Sequence, residues 1–164
     1  MKRTLIVMRH AKTEEQKEDQ TDFERNLTER GKNNAQLMAE RIADKGYKPD
    51  LILTSSANRT EQTTEIVLNA GKFTNVKKRS TKVLYHATAD IIEDEIMSVE
   101  HEIKTLMIVG HNPGTSEFVF DCDPKSISAS MPTSAIAIFT FEADNWQLFS
   151  TAKKNLDLYD YPKK

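Results

Sequence analysis

The sequence predicts a layered α/β fold on a largely parallel sheet. Two observations carry this. Leu5-Ile6-Val7-Met8, Leu51-Ile52-Leu53 and Leu106-Met107-Ile108-Val109 are continuous apolar runs, as expected of strands buried on both faces. Longer stretches with helical spacing separate them, and strands alternating with helices argue for this architecture.

Taken in order, the Leu5 run is the first strand. Ala35, Met38, Ala39 and Ile42 then follow i, i+3, i+4, i+7 spacing, with Thr28 as N-cap and Gly46 as stop. After the Leu51 run, a second helix is expected from about Ala57 to Ala70, capped by Ser56 and ended by Gly71. A third is expected from about Ala89 to Ile103, with Ile92, Ile96, Val99 and Ile103 on one face. After the Leu106 run, a shorter helix should start at Pro113 with Asn112 as its cap. Ala135–Phe141 and Trp146–Ser150 read as an edge hairpin turning through Glu142–Asn145. Lys153–Lys164 reads as a polar terminus.

The 164 residues suit one domain, 1–164, and 38% apolar content supports a single core. Lys and Arg number 23 against 25 Asp and Glu, so a net charge of −2 exerts no global pull on nucleic acid or anionic membrane. No interdomain linker or repeat stands out. The N-terminal apolar run is shorter than a signal-peptide core, and no segment reaches the ~18 apolar residues of a membrane span. One cysteine, Cys122, allows no intrachain disulfide, and Asp121 and Asp123 beside it would raise its pKa. A cytoplasmic protein is expected, as a monomer or weak dimer. Dinucleotide and P-loop motifs, zinc spacings and basic–aromatic interleaving are all absent from the sequence.

The candidate chemistry sits where buried runs end. The first gives Arg9-His10, the second leads through Thr54-Ser55-Ser56 to Arg59, and the third ends at Gly110-His111. Ligands of open α/β sheets bind beyond the carboxyl ends of the strands. If these strands are neighbours, two arginines and two histidines converge there. Paired guanidiniums fit an anion with phosphate geometry. Arg59 would lie in the first turn of its helix, where a cation is disfavoured unless an anion is bound. A neutral histidine with one free ring nitrogen can act as nucleophile. His10 is the candidate, with His111 as a donor to the transferring group.

These segments resemble the histidine phosphatase superfamily, which includes the phosphoglycerate mutases. The similarity lies in Arg9-His10-Ala11-Lys12-Thr13, Ser55 to Thr63, Val109-Gly110-His111-Asn112-Pro113, Asp22 to Gly31, and Thr133 to Ala137. Ala11-Lys12-Thr13 resembles the small phosphohistidine phosphatase branch, with Ala where the superfamily usually has Gly. The resemblance implies a three-layer α/β/α sandwich of phosphoglycerate mutase type. It also implies a phosphorylated His10, phosphoryl oxygens bound by Arg9, Arg59 and His111, and neither metal nor cofactor.

One departure bears on substrate. Many members carry a Glu or Asp proton donor after the middle strand, whereas Val83-Leu84-Tyr85-His86-Ala87-Thr88 has no carboxylate there. His86 takes roughly that place, Asp90 is the nearest acid downstream, and Asp22 is a further candidate for proton donor or substrate contact. Losing a general acid costs about 10²–10⁴-fold. It should matter more for an alkyl phosphate than for phosphohistidine, whose leaving imidazole is basic. The short connection before Ala89 further implies an open site. The expected substrate is therefore protein-borne phosphohistidine, with a small phosphorylated metabolite as the alternative and a non-catalytic phospho-ligand module behind both. Neither nucleic acid nor membrane is expected as a partner.

Overall fold

The computed structural model describes residues 1–163. Its strands are β1 Lys2–Arg9, β2 Leu51–Ser55, β3 Lys77–Thr81, β4 Thr105–Gly110, β5 Ile136–Glu142 and β6 Asn155–Asp160. Its helices are α1 Glu29–Asp44, α2 Asn58–Ala70, α3 Ala89–Met97 and α4 Gly114–Cys122. All six strands form one sheet in the order β3-β2-β4-β1-β5-β6. β1 to β4 run parallel, β5 runs against β1, and β6 runs against β5, so β5 alone is reversed.

The continuous apolar runs feed two cores. Leu5, Val7, Leu51, Leu53, Leu106 and Ile108 face one side, against Ile92, Ile96, Phe118 and Val119 of α3 and α4. Ile6, Met8, Ile52, Met107 and Val109 face the other, against Met38, Ala39 and Ile42 of α1 and Val67 of α2. This is a three-layer α/β/α sandwich. Burying each such aliphatic side chain contributes about 1.5–3 kcal/mol. A one-residue slip would exchange the two faces, so register is fixed. No helix is long and apolar enough to cross a membrane among the described residues.

Local chemistry revises several sequence boundaries. Thr28 does cap α1, accepting from the Gly31 N–H at 2.9 Å. Ser56 does not cap α2: Ala57 stands at the boundary and the Ser56 N–H goes to the Thr81 carbonyl. α3 stops at Met97, where the Gln147 amide donates to the Met97 carbonyl at 2.6 Å. Val99 and Ile103 stay buried from the turns that follow, so their spacing imitated a longer helix. Asn112 does not cap α4 through the backbone. Its side-chain oxygen accepts the hydroxyls of Thr115 and Ser116 at 2.6 and 2.7 Å.

The C-terminal hairpin also differs. Trp146–Leu148 is a short 3₁₀ turn, because Trp146 and Phe149 pack into an aromatic cluster with Phe141 and the Trp146 indole donates to the Ile103 carbonyl. The strand pairing with β5 is instead β6, within the stretch read as a polar terminus. Lys164, the last residue of that stretch and of the predicted domain, lies outside the described residues. Arg3 is fully buried, donating to the carbonyls of Ala143, His101, Ile103 and Asp144 with its guanidinium over the Trp146 ring. This ties β1 to the turns at the amino end of the sheet.

Candidate active site

The order β2-β4-β1 makes the three strands carrying the candidate residues direct neighbours, and their carboxyl ends open on one crevice. Arg9 ends β1, His10 follows it, His111 follows β4, and Arg59 is the second residue of α2 beyond β2. His10, Arg59 and His111 are each no more than 7% exposed. The two imidazole rings lie 5.3 Å apart, and the fields of Arg9 and Arg59 reach His10.

Backbone contacts fix His10. Its N–H donates to the Gly110 carbonyl at 3.1 Å, and its carbonyl accepts from the Ser134 N–H at 3.0 Å. The Ala11 N–H donates to the Thr63 hydroxyl, which donates to the Arg59 carbonyl, coupling this loop to α2. Beneath the loop, α1 approaches so closely that a Cβ on Gly31 would come within 2.2 Å of the Lys12 carbonyl oxygen. His10 Nδ1 stands 2.7 Å from the Ala11 carbonyl. A carbonyl only accepts, so Nδ1 carries the proton and Nε2 is left with its lone pair. Burial, then the charges of Arg9, Arg59 and Arg25, lower the His10 pKa to about 4, while the Ala11 carbonyl opposes this.

His111 Nε2 lies 2.8 Å from the Ser55 hydroxyl. Burial foremost, then His10, Arg59 and His86, hold its pKa at about 3 against the opposing pull of Asp22. When the Ser55 hydroxyl donates to Nε2, neutral His111 carries its proton on Nδ1. That Nδ1 and the Nε of Arg9 are buried and have no hydrogen-bond partner among the described residues. Such orphaned donors are costly unless a ligand takes them up. The Arg9 Nη1 meanwhile donates to the Met131 carbonyl at 2.9 Å.

Asp22 supplies the anion that the position of Arg59 called for. Its carboxylate accepts from Arg59 Nη2 at 3.0 Å, Arg25 Nη1 at 3.1 Å and the Tyr85 hydroxyl at 2.6 Å. Its carbonyl accepts from Arg59 Nη1 at 2.8 Å. The Tyr85 hydrogen bond first, then those from Arg25 and Arg59, push its pKa far below the carboxylate range. A carboxylate so held has no proton to give near neutrality, so Asp22 does not fit the proton-donor role and remains a candidate substrate contact. His86 is exposed, its ring centroid 4.0 Å from that of Tyr85, beside a cavity of about 240 Å³ shared with His111. Asp90 is exposed in the first turn of α3.

Sequence reasoning assigned no role to Ser55 or Tyr85. Ser55 lies inside the Ser55 to Thr63 motif and Tyr85 beside His86, but only the fold shows what each touches. Cys122 is half-buried, its thiol pushed up to about 12 mainly by desolvation.

The comparisons with known proteins agree with this arrangement. The profile of the histidine phosphatase superfamily (branch 1) matches residues 5–82. An uncharacterized Mycobacterium tuberculosis protein, MT1313, is 30% identical over 148 residues, covering 85% of this chain and 89% of the relative. A solved structure from Agrobacterium tumefaciens, assigned as the phosphohistidine phosphatase SixA, superposes with a TM-score of 0.85 at 27% identity, covering 98% of each chain. A mycobacterial glucosyl-3-phosphoglycerate phosphatase superposes at 0.71 with 14% identity, covering 98% of this chain and all of that one, a likeness of fold alone.

Proposed function

The chain belongs to the histidine phosphatase superfamily and is a phosphatase of that type, and we propose that it removes phosphate from phosphohistidine on a protein through a phosphoenzyme at His10. The observation that carries the reading is the His10 ring: neutral, held through Nδ1, with Nε2 free beside Arg9, Arg59 and His111.

In the first step the Nε2 lone pair forms a bond to phosphorus. The bond to the leaving nitrogen breaks, and its electron pair stays on that nitrogen. The transferring group carries its charge on three oxygens, so positioned cationic and N–H donors lower the barrier. Arg9 Nε, the Arg59 guanidinium and His111 Nδ1 are those donors. As His10 becomes a phosphoimidazolium, its Nδ1–H bond to the Ala11 carbonyl strengthens. Water then attacks phosphorus, the His10–phosphorus bond breaks, and the water proton passes to solvent. No residue is assigned as proton donor to the leaving group, and His86 is the candidate contact on the leaving side.

The likeness to a SixA structure, the ionised state of Asp22 and the short connection from β3 to α3 support phosphohistidine as substrate. The reading includes a cytoplasmic location, supported by a lone cysteine in no disulfide, and a monomer or weak dimer.

The test is phosphate release from a phosphohistidine-bearing protein and from an alkyl phosphate, with chelator present. The expected kcat/KM favours phosphohistidine by at least about 100-fold, the range a missing general acid leaves. Equal or faster turnover of the alkyl phosphate would replace this substrate with a small metabolite.

A further inference from the structure

We propose that Asp22, with the aromatic ledge of Phe23, Tyr85 and His86, forms a leaving-group subsite for a protonated imidazole. It would make the enzyme selective for phosphoimidazolium over phosphomonoesters. The inference rests on the phosphoenzyme at His10 and adds how the other half of the substrate is recognised.

Asp22 sits in a single 3₁₀ turn, Asp22–Glu24, and no strand end delivers it to the site. Arg59 holds it there, gripping both its carbonyl and its carboxylate. Asp22 is therefore one side chain away from the phosphoryl position. An ionised carboxylate has about four lone-pair positions. Arg25, Arg59 and Tyr85 occupy three, and the side chain is 37% exposed, so an acceptor position is left open to a ligand.

The rings extend from that carboxylate. Tyr85 lies 5.5 Å from the His111 ring and 4.0 Å from the His86 ring, and Phe23 meets Tyr85 edge-on at 4.9 Å. The protonated imidazole of a substrate bound at the phosphoryl position meets a carboxylate and aromatic rings, the two features that bind such a cation. The fixed cations around it are Arg25 and Arg59, which pair with Asp22, and Lys82, which lies over Phe23; Arg59 also lies over the Tyr85 ring, and His86 and His111 are titratable neighbours. The substrate brings its own phosphoryl anion against these cations.

The chemistry then separates two substrate classes. A phosphoimidazole protonated on its distal nitrogen leaves as neutral imidazole. The electron pair of the broken phosphorus–nitrogen bond stays on the nitrogen that held phosphorus, and the proton remains on the distal nitrogen. No proton needs delivery to the leaving atom. An acceptor at the distal N–H favours the protonated form and thereby its departure. An alkyl phosphate puts the pair on oxygen, which needs a proton at that atom, and an ionised Asp22 has none.

The experiment compares phosphoimidazole with p-nitrophenyl phosphate, whose phenolate leaves without a proton, in wild type and Asp22→Asn. Asn keeps an oxygen for Arg59 but loses the charge. The ratio of kcat/KM values, phosphoimidazole over p-nitrophenyl phosphate, is expected to fall at least about tenfold, as for a lost hydrogen bond between charged groups. An equal fall on both substrates would mean that Asp22 only positions Arg59 and would overturn the proposal. Label on His10 in the same reactions would show the phosphoenzyme reading still standing. The wild type gives a second measurement, which survives a misfolded variant. Imidazole should inhibit p-nitrophenyl phosphate turnover competitively at pH 6 and far less at pH 8. Inhibition that is absent, or as strong at pH 8, would equally overturn it.

Discussion

Acidification from pH 7 to pH 5 should remove a large part of the stability, and the two site histidines set the amount. Both rings are buried and neutral, with pKa values lowered from 6.5 to about 4 for His10 and about 3 for His111. In the unfolded chain both return to an ordinary value. Across this window the unfolded state binds more protons than the native state, so stability falls as pH falls. Each ring has its contribution in full above pH 6.5 and loses it progressively below, until the native ring itself protonates. From pH 7 to pH 5 the linkage integral is about 2 kcal/mol per ring, about 4 kcal/mol together, with coupling between the two rings trimming the sum. Asp22 does not contribute, because its folded pKa lies far below the window and an ordinary carboxylate stays largely ionised across it. A loss of that size is a large fraction of an ordinary domain's 5–15 kcal/mol, an order-of-magnitude range. Urea unfolding at the two pH values, with constant m, measures it directly. The double variant His10→Asn, His111→Asn should lose most of the pH dependence. Equal wild-type stability at pH 5 and pH 7, or an undiminished slope in the double variant, would refute the assignment of two buried neutral rings.

Three other substitutions separate the parts of the structure. Arg59→Lys keeps a charge but loses the planar donors that grip Asp22, so steady-state kinetics should show kcat/KM down by about 100-fold. Ser55→Ala removes the partner of His111 Nε2. Turnover should fall by about tenfold while rapid quench still finds the phosphoenzyme, because His10 is untouched. Arg3→Met lies at the opposite end of the sheet, takes the guanidinium donor from the carbonyls of Ala143, His101 and Asp144, and leaves Ile103 with the Trp146 indole. Urea unfolding should show a loss of at least about 3 kcal/mol, with the kinetics of the remaining folded protein unchanged.

The sandwich was legible because its strands are buried on both faces. A run such as Leu106-Met107-Ile108-Val109, bounded by polar residues and too short for a helix of its own, fits a strand covered on both faces, and the polar residue ending each run marks the crevice. β3 was not legible in the same way. Lys77-Lys78-Arg79-Ser80-Thr81 is an edge strand with four of its five residues exposed, so backbone pairing to β2 rather than hydropathy holds it. β6 failed differently. Leu156 and Leu158 alternate with polar residues over a short stretch, while the stronger apolar signal of Trp146 to Phe149 belongs to a packed turn. In the site, Arg9, His10, Arg59 and His111 could be read because each ends or follows a strand or opens a helix. The anion paired with Arg59 could not, since Asp22 lies 37 residues away in sequence and reaches it through a loop. Its ionised state likewise depends on Tyr85, whose hydroxyl only the fold brings to it.

The measurement that bears most directly on the phosphoenzyme is rapid quench of the wild type with a ³²P-labelled phosphohistidine protein, followed by mapping of the acid-labile label. Label on the peptide containing His10, absent from a folded His10→Ala variant that also releases no phosphate, is the expected result. Phosphate release by the wild type with label on another residue, or undiminished release by His10→Ala, would contradict it.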